Sequence, residues 1–377
     1  MPRFEFAAPR IVFGEGVAAE AAAAAAGFAD RALWVTGGVE RLPTPAGAVR
    51  FAVRGEPTLQ VVRDGAAIGR EAGCGVVVAV GGGSAIDAGK AIAAMISNPG
   101  DPLDYLEVVG RGLPLTAAPV PFLAVPATAG TGSEVTRNAV LGVPEHRVKA
   151  SLRSPRMLAR IAFVDPDASL GLPPSLTAST GLDALTQLIE AYVSIRANPM
   201  TDALCVEGLR AAAPALRRAY RNGSDREARG AMAWAACLSG LALSNAALGA
   251  VHGFAAPIGG AFAAPHGAVC AALLPHVMRA NGAALRSRMP ESPALARYDE
   301  IARLLTGAPH AVAADGERWV TDLVSECQIP GLSAYGVAAG NSAMLVDAAS
   351  KASSMKGNPV VLEPAELAAV LRLAMAR

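Results

Sequence analysis

The stretch Gly75-Val-Val-Val-Ala-Val-Gly-Gly-Gly-Ser-Ala-Ile-Asp87 joins a continuous apolar run to a turn of three glycines. The valine-rich run predicts a buried strand, and the residues after the glycines predict a helix over 84–96. The pattern recurs in the first half of the chain, with strand-like runs at 31–36 and 121–125 and helical periods at 16–26 and 58–71. Alternating helices and continuous apolar strands predict a parallel sheet covered on both faces.

Two domains are predicted, because 377 residues exceed the size at which a single hydrophobic core normally stops growing. The sequence changes character near Ala162-Phe-Val-Asp-Pro-Asp167. Beyond about residue 173, β-branched runs become rare and alanine- and leucine-rich helical periods continue to the C-terminus. We therefore predict an α/β nucleotide-binding domain over residues 1–166 and an all-helical domain over residues 167–377.

Composition excludes several classes of function. A net charge of +1, with no cluster of Lys and Arg, argues against binding to nucleic acid. Residues 231–275 carry no Asp, Glu, Lys or Arg, but their serines, histidines and glycines predict buried helices rather than a membrane span. The five cysteines form no C-x-x-C pair and the first residues lack a signal-peptide core, which predicts a cytoplasmic protein.

The glycine turn is a candidate phosphate loop. Glycines allow a ligand to approach the backbone closely, and the following helix N-terminus offers free N–H groups to a diphosphate. The turn lacks the G-x-G-x-x-G spacing of the Rossmann fold. A structural alternative is a capping box, with Ser84 as N-cap and Asp87 three residues later.

A second candidate loop, Pro126-Ala-Thr-Ala-Gly-Thr-Gly-Ser-Glu134, also follows a predicted strand. Its three hydroxyls and two glycines suit a ribose or a phosphate, and a polar connecting loop is the structural alternative. Because both loops follow strands of one parallel sheet, they favour dinucleotide binding.

Four side chains in the second half form a candidate metal site: Asp183, Gln187, His252 and His266. A helical period over 181–190 places Asp183 and Gln187 on one face, since residues i and i+4 are neighbours. A carboxylate and two imidazoles suit a divalent cation such as Zn²⁺ or Fe²⁺, whereas a neutral amide is a weak ligand. A single buried histidine, by contrast, is usually a core residue.

Together these residues resemble the iron-containing (group III) alcohol dehydrogenase family, whose fold is dehydroquinate synthase-like. The resemblance covers nearly the whole chain. It is carried by Gly81–Ser84, Ala127–Glu134, Lys149, Val164-Asp-Pro166, Gly181-Leu-Asp-Ala-Leu185, Glu190-Ala-Tyr-Val-Ser194, His252 and Pro265-His-Gly267.

The resemblance implies hydride transfer between an alcohol carbon and the nicotinamide of NAD or NADP, in a cleft between the two domains. A divalent metal held by the four candidate ligands would act as a Lewis acid. A homodimer is also implied. By position, the diphosphate is assigned to Gly82, Gly83, Ser84 and Asp87, and the ribose and nicotinamide side to Thr128, Thr131, Val140 and Lys149.

Three departures from the family pattern are visible. The Asp that usually follows the first strand and binds the adenosine ribose is replaced by Gly37-Gly38, which makes NADP admissible. The helix ligand that is His in the family is Gln187, so we expect the cation to be loosely held. A further histidine four residues after His252 is replaced by Ala256, which removes a proton relay.

The resulting prediction is an NAD(P)-dependent alcohol dehydrogenase or aldehyde reductase acting on a small substrate. A maleylacetate reductase, which takes a dicarboxylic substrate, is the first alternative and would need cations to hold the carboxylates. A dehydroquinate-synthase-like lyase and a non-catalytic nucleotide-binding protein are the remaining alternatives. The sequence assigns no catalytic acid or base.

Overall fold

The computed structural model describes residues 3–146 and 148–376, and the chain divides into two compact units. The α/β unit comprises Ala7–Thr128 and Gly132–Leu170. The helical unit comprises Ala129–Thr131, residues 3–6 and residues 171–376. An N-terminal α/β unit followed by a helical unit is the predicted fold class, which is confirmed; the boundary at residue 166 stays a prediction.

The strands and the first three helices all lie in the α/β unit. The strands are β1 (Arg10–Phe13), β2 (Ala32–Thr36), β3 (Val49–Ala52), β4 (Val76–Gly81), β5 (Phe122–Pro126), β6 (Asn138–Val143), β7 (Val148–Arg153) and β8 (Ile161–Val164). The helices are α1 (Ala21–Ala26), α2 (Leu59–Glu71) and α3 (Gly83–Ser97). The strands that the sequence predicts correspond to β2, β4 and β5, each within two residues.

Six strands form one parallel sheet in the order β1-β8-β5-β4-β2-β3, and β6 pairs with β7 as an antiparallel hairpin. Every residue of β4 is buried. Alternate side chains of that strand enter different cores, since Val77 and Ala79 pack in one hydrophobic cluster and Val76 and Val78 in another. The sheet is therefore covered on both faces, as the continuous apolar runs predict.

The helical unit is built from nine α-helices among the described residues. These are α4 (Pro174–Val193), α5 (Pro199–Arg221), α6 (Arg226–Asn245), α7 (Ala250–Ala261), α8 (His266–Arg288), α9 (Pro293–Thr306), α10 (Ala313–Glu326), α11 (Ser342–Lys351) and α12 (Pro364–Met375). Helix α8 is long and apolar enough for a membrane span, but 78% of its apolar window is buried inside the protein. The prediction that this charge-free stretch forms buried helices is confirmed.

Candidate metal centre and nucleotide loop

Four potential metal ligands converge in the helical unit. Asp183 lies on α4, His252 on α7, and His266 and Cys270 on the first two turns of α8. One ligand atom from each residue lies within 4.8 Å of the others. The structure therefore brings together three of the four residues that the sequence predicts, and it adds Cys270.

The spacing of these atoms fits a tetrahedral cation site. Nε2 of His252 and Nε2 of His266 lie 3.3 and 3.6 Å from Oδ1 of Asp183. Sγ of Cys270 lies 3.8 and 3.7 Å from the same two nitrogens. Bonds of about 2.0–2.1 Å to nitrogen and oxygen and about 2.3 Å to sulfur give tetrahedral edges of about 3.3–3.6 Å. Four of the six separations therefore match tetrahedral edges, and all six lie within 4.8 Å, so the donor types and their spacing suit a divalent metal.

Three of the four residues are buried and one is partly exposed. Asp183 is 3% exposed, His252 is 7% exposed and Cys270 is fully buried, whereas the side chain of His266 is 36% exposed. Since His266 begins α8 immediately after Pro265, its imidazole stands at the rim of the group. His266 is therefore the most accessible of the four residues.

Glu190 fixes the orientation of His252. Its Oε2 lies 2.6 Å from Nδ1 of His252, and its Oε1 accepts a hydrogen bond of 2.7 Å from the Val251 backbone N–H. A carboxylate only accepts, so Nδ1 carries the proton and Nε2 presents its lone pair to the metal group. Because residues 183 and 190 share one face of α4, one helix supplies both a ligand and the support of another ligand.

The start of α7 is held so that His252 meets that carboxylate. Gly249 precedes the helix, and a Cβ atom there would lie 2.7 Å from Oδ1 of Asn358 and 2.9 Å from Oε1 of Glu190. Oδ1 of Asn358 accepts from the Ala250 N–H at 3.1 Å. These acceptors satisfy N–H groups that a helix N-terminus otherwise leaves free. Gly249 is therefore required for the approach of both supporting side chains.

Thr131 holds the carboxylate of Asp183. Its hydroxyl donates to Oδ2 of Asp183 at 2.7 Å, which leaves Oδ1 directed at the two histidines. The tripeptide that contains Thr131 belongs to the helical unit. Its predicted role as a ribose or nicotinamide contact stays a prediction.

Gln187 is fully buried on α4, and its amide oxygen accepts a hydrogen bond of 3.0 Å from the Ser239 hydroxyl. Its Nε2 has no hydrogen-bond partner among the described residues. The sequence predicts Gln187 as a metal ligand; the structure pairs its oxygen with Ser239 and places the Cys270 thiol beside the other three ligands. The ligand role of Gln187 stays a prediction.

Cys270 escapes the sequence argument because a thiol in an apolar helix reads as a small hydrophobic residue. The signal that identifies it is the spacing His266-x-x-x-Cys270 on a helix, which places both side chains on one face. That signal has meaning only once α8 is known to begin at His266.

The electrostatics of the group favour the anionic forms of Asp183 and Cys270. Burial raises the pKa of the Asp183 carboxyl, but without a metal the pKa values of both histidines are raised, and their positive charges together with the Thr131 hydroxyl outweigh burial and lower the pKa of Asp183 to about 2. Burial likewise raises the pKa of the Cys270 thiol, and the imidazoles of His266 and His252 bring it below its ordinary value. A carboxylate and a thiolate are the forms that bind metal.

The glycine loop of the α/β unit adopts the geometry of an anion site. Gly81 has φ +155°, and a Cβ atom there would lie 2.8 Å from Cβ of Ala85, so the turn requires glycine. Helix α3 begins at Gly83, with Gly82 as N-cap and no side-chain capping bond. The capping-box alternative with Ser84 as N-cap is therefore wrong. The first N–H groups of α3 remain available to a phosphate.

Asp87 is drawn into the interior of the α/β unit. It is 8% exposed, and its Oδ2 accepts from the Val140 N–H at 3.0 Å. Its Oδ1 lies 3.7 Å from Nζ of Lys90, which is fully buried and donates to the backbone oxygens of Ser133 and Asn138 at 2.7 Å each. Asp87 thus connects α3 to β6; its predicted contact with the diphosphate stays a prediction.

The other predicted cofactor residues have mixed environments. Val140 is 37% exposed, and Nζ of Lys149 lies 3.1 Å from Oε2 of Glu56. Thr128 is partly exposed beside Gly82, where a Cβ atom would lie 3.3 Å from the threonine methyl. Nothing in these contacts tests the assigned roles, which stay predictions.

The structure combines two features that are typical of metal-dependent dehydrogenases. One is a parallel α/β unit in which the first N–H groups of α3 are free, and the other is a group of four potential metal ligands. The family model described as "Iron-containing alcohol dehydrogenase" matches residues 8–166, and the model "Fe-containing alcohol dehydrogenase family, C-terminal" matches residues 177–375. The chain belongs to the iron-containing alcohol dehydrogenase family.

Individual relatives agree with this assignment. Alcohol dehydrogenase 4 of Schizosaccharomyces pombe is 39% identical, over 86% of this chain and 74% of its own length. The 1,3-propanediol dehydrogenase of Klebsiella pneumoniae is 40% identical, over 83% of this chain and 79% of its own. A crystal structure of 1,3-propanediol oxidoreductase superposes with a TM-score of 0.88 at 34% identity, covering 99% and 100% of the two chains. The protein is an NAD(P)-dependent oxidoreductase of the alcohol dehydrogenase type.

Proposed function

We propose that this protein interconverts a small primary alcohol and its aldehyde, using NAD or NADP and a divalent cation held by Asp183, His252 and His266. The observation that carries the proposal is the convergence of these donors with Cys270 inside 4.8 Å. Relatives are named for 1,3-propanediol, choline and 4-hydroxybutyrate. Each of these compounds bears a CH₂OH group, which supports a primary alcohol as the substrate class.

The metal, Fe²⁺ or Zn²⁺, supplies Lewis-acid polarisation of the substrate oxygen when it is bound. The protein's contribution is positioning. Thr131 and Glu190 leave Oδ1 of Asp183 and Nε2 of His252 directed into the group, and the exposed edge of His266 leaves an approach for the substrate. Restricting rotation in this way lowers the entropy that must be lost when the reacting atoms meet.

The nucleotide is proposed to bind at the N-terminus of α3. The backbone N–H groups of Gly83 and Ser84 bind its diphosphate, since Gly82 caps the helix without a competing side chain. Both dinucleotides remain candidates, because Gly38 is exposed and places no carboxylate near the end of β2. Thr128, Val140 and Lys149 are proposed to contact the ribose and the nicotinamide.

Proton transfer in this chain does not use a histidine four residues after His252. That position is Ala256, which carries no ionisable group. In the oxidation direction the substrate carbon gives a hydride to nicotinamide C4 and its hydroxyl loses a proton. We propose that this proton passes to solvent at the exposed side of His266.

The surroundings of the enzyme are proposed from the same observations. All five cysteines are free and buried, which fits a reducing cytoplasm. The absence of a basic cluster from the sequence favours a small-molecule substrate over nucleic acid. A homodimer is proposed on family resemblance alone.

A kinetic screen tests the proposal. Purified protein is mixed with NADH or NADPH and a series of primary aldehydes, each with and without added Fe²⁺ or Zn²⁺. We expect oxidation of the reduced nucleotide, abolished in His252→Ala and retained in His310→Ala, whose histidine is exposed. No turnover with any aldehyde contradicts the proposal, and faster turnover of maleylacetate than of every neutral aldehyde identifies the dicarboxylic alternative.

A further inference from the structure

We propose that Cys270 is the fourth metal ligand of this protein and that its thiolate makes the site select zinc over iron. The inference rests on the proposed function, since it names the metal and a ligand of the same site. It depends on the position of one thiol, on the hydrogen bond of one amide and on the charge of the donor set.

The position of the thiol is that of a ligand rather than a core side chain. The contacts of Sγ are Nε2 of His252 and Nε2 of His266, at 3.8 and 3.7 Å. A sulfur and a nitrogen that share one tetrahedral cation are separated by about 3.5–3.6 Å. Both contacts are therefore within about 0.3 Å of the separation that coordination needs, although the two nitrogens come from different helices.

The helix supports this arrangement locally. His266 and Cys270 are four residues apart on α8, so that both side chains project from the same face. Cys270 is fully buried, which protects the thiolate from oxidants and from competing hydrogen bonds with water. A rigid, buried helix holds a ligand more accurately than a loop does.

The alternative fourth ligand, Gln187, is already engaged. Its Oε1 lies 3.0 Å from the Ser239 hydroxyl, whose single proton is shared with the Ala236 carbonyl oxygen at 2.8 Å. Coordination by the amide oxygen would have to compete with this hydrogen bond. A neutral amide is also a poorer donor than a thiolate for first-row metals of this kind.

The donor set then determines which metal binds. Asp183 and Cys270 each contribute a negative charge when ionised, so the two charges neutralise a divalent cation inside a buried pocket. Thiolate is a soft ligand that favours Zn²⁺ over Fe²⁺, whereas a set of one carboxylate and three imidazoles accepts either metal. Asp183, His252, His266 and Cys270 would then hold the cation with four protein donors.

X-ray absorption at the zinc edge tests the ligand assignment. Zinc-loaded wild-type protein is compared with Cys270→Ser, with Gln187→Ala, and with Cys205→Ala, which removes a fully buried thiol outside the group. We expect a sulfur shell at about 2.3 Å in the wild type, in Gln187→Ala and in Cys205→Ala, and its loss in Cys270→Ser. A shell of only nitrogen and oxygen in the wild type overturns the proposal.

A metal competition measures selectivity without relying on catalysis. Metal-free protein is equilibrated anaerobically with equal Zn²⁺ and Fe²⁺, and the bound ratio is determined by elemental analysis. Cys270→Ser should lower the ratio of bound zinc to bound iron. It should also lower the zinc affinity by more than about 100-fold, because the loss of a residue that only supports a ligand already costs about 10- to 100-fold. An unchanged ratio contradicts the inference.

A ligand exchange keeps the result interpretable if Cys270→Ser binds no metal. Adding Gln187→His to that variant supplies a third imidazole on the face of α4 that bears Asp183. We expect the double variant to recover metal binding and to accept iron as well as zinc. If wild-type protein shows the sulfur shell but turns over no aldehyde, the proposed function is rejected and the ligand assignment stands.

Discussion

The glycine loop at Gly81–Ser84 and the metal group around Asp183 are proposed to bind their ligands in different ways. At the loop, recognition is assigned to backbone N–H groups of adjacent residues, Gly83 and Ser84, and the nearby Asp87 side chain is used internally by Val140. In the metal group, recognition depends on side chains from three helices, and two of them, Asp183 and His252, are oriented by hydrogen bonds from Thr131 and to Glu190. A backbone site depends on local chain geometry, whereas a side-chain site depends on tertiary packing.

The difference predicts how each region responds to substitution. A change at the loop should weaken nucleotide binding and leave metal content unchanged, because the loop belongs to the α/β unit alone. A change in the metal group should remove the metal and the activity together.

Asp183→Asn should have the most severe effect. The amide keeps the shape of the carboxylate but loses the charge that the two imidazoles stabilise, so metal affinity should fall by more than about 100-fold and activity with it. Titration with Zn²⁺ against a chromogenic chelator measures the affinity. Asp322→Asn, on the outward side of α10, is the matched control; if Asp183→Asn retains its metal, the ligand assignment is wrong.

Glu190→Gln should reduce metal affinity by about 10- to 100-fold. The amide nitrogen would donate to Nδ1 of His252, which drives the imidazole proton to Nε2, the atom that faces Asp183. Nitrogen-15 NMR of the histidine ring reports this exchange of tautomers directly. Glu190→Gln protein that shows the wild-type tautomer and wild-type affinity would reject the orienting role.

Gly38→Asp should change the cofactor preference without affecting the metal. Gly38 is exposed, and a Cβ atom there meets nothing within 4 Å, so the backbone accommodates the side chain. The added carboxylate repels a 2′-phosphate, and the ratio of kcat/KM for NADPH over NADH should fall roughly tenfold. Gly38→Asn serves as the neutral control. Equal ratios in both variants and the wild type would mean that the ribose binds elsewhere.

Glu134→Gln should change how the stability of the protein depends on pH. Burial raises the pKa of Glu134 to about 7, so the folded protein holds a proton that the unfolded chain releases near pH 4.5. This contribution to stability is complete below pH 4.5 and is lost as the pH rises through 7. Because the amide does not titrate, the free energy of unfolding of the variant should change less between pH 4.5 and 7 than that of the wild type, by roughly 1–3 kcal/mol. Urea unfolding at a series of pH values measures this difference. A profile parallel to the wild type would contradict the raised pKa.

The regions that sequence could predict are those whose signal is local. The apolar run of β4 and the start of α2 after its N-cap Thr58 are found within one residue, because burial on both faces and a capping hydroxyl leave clear patterns. The strands β1 and β3 escape, since they are short edge strands that carry Arg10 and Arg50. The interior strand β8 escapes too, because it is only four residues long. The hairpin of β6 and β7 escapes as well.

The metal group divides in the same way. Asp183, His252 and His266 are found through the family pattern, because no spacing rule connects residues 183 and 252 before the helices are packed. Cys270 and Glu190 lie outside the predicted ligand set, although both are visible in the sequence as residues four from His266 and seven from Asp183. Their roles appear only when α4, α7 and α8 are placed side by side.

The group around Asp183 is proposed to hold a divalent cation that the hydride transfer requires. The most direct test of this proposal is a single-turnover experiment, in which protein preloaded with reduced nucleotide is mixed rapidly with a primary aldehyde before and after metal removal. We expect that removing the metal abolishes the fast phase of nucleotide oxidation and that one equivalent of metal per chain restores it. A fast phase with the same rate constant in metal-free protein would show that hydride transfer does not require the metal.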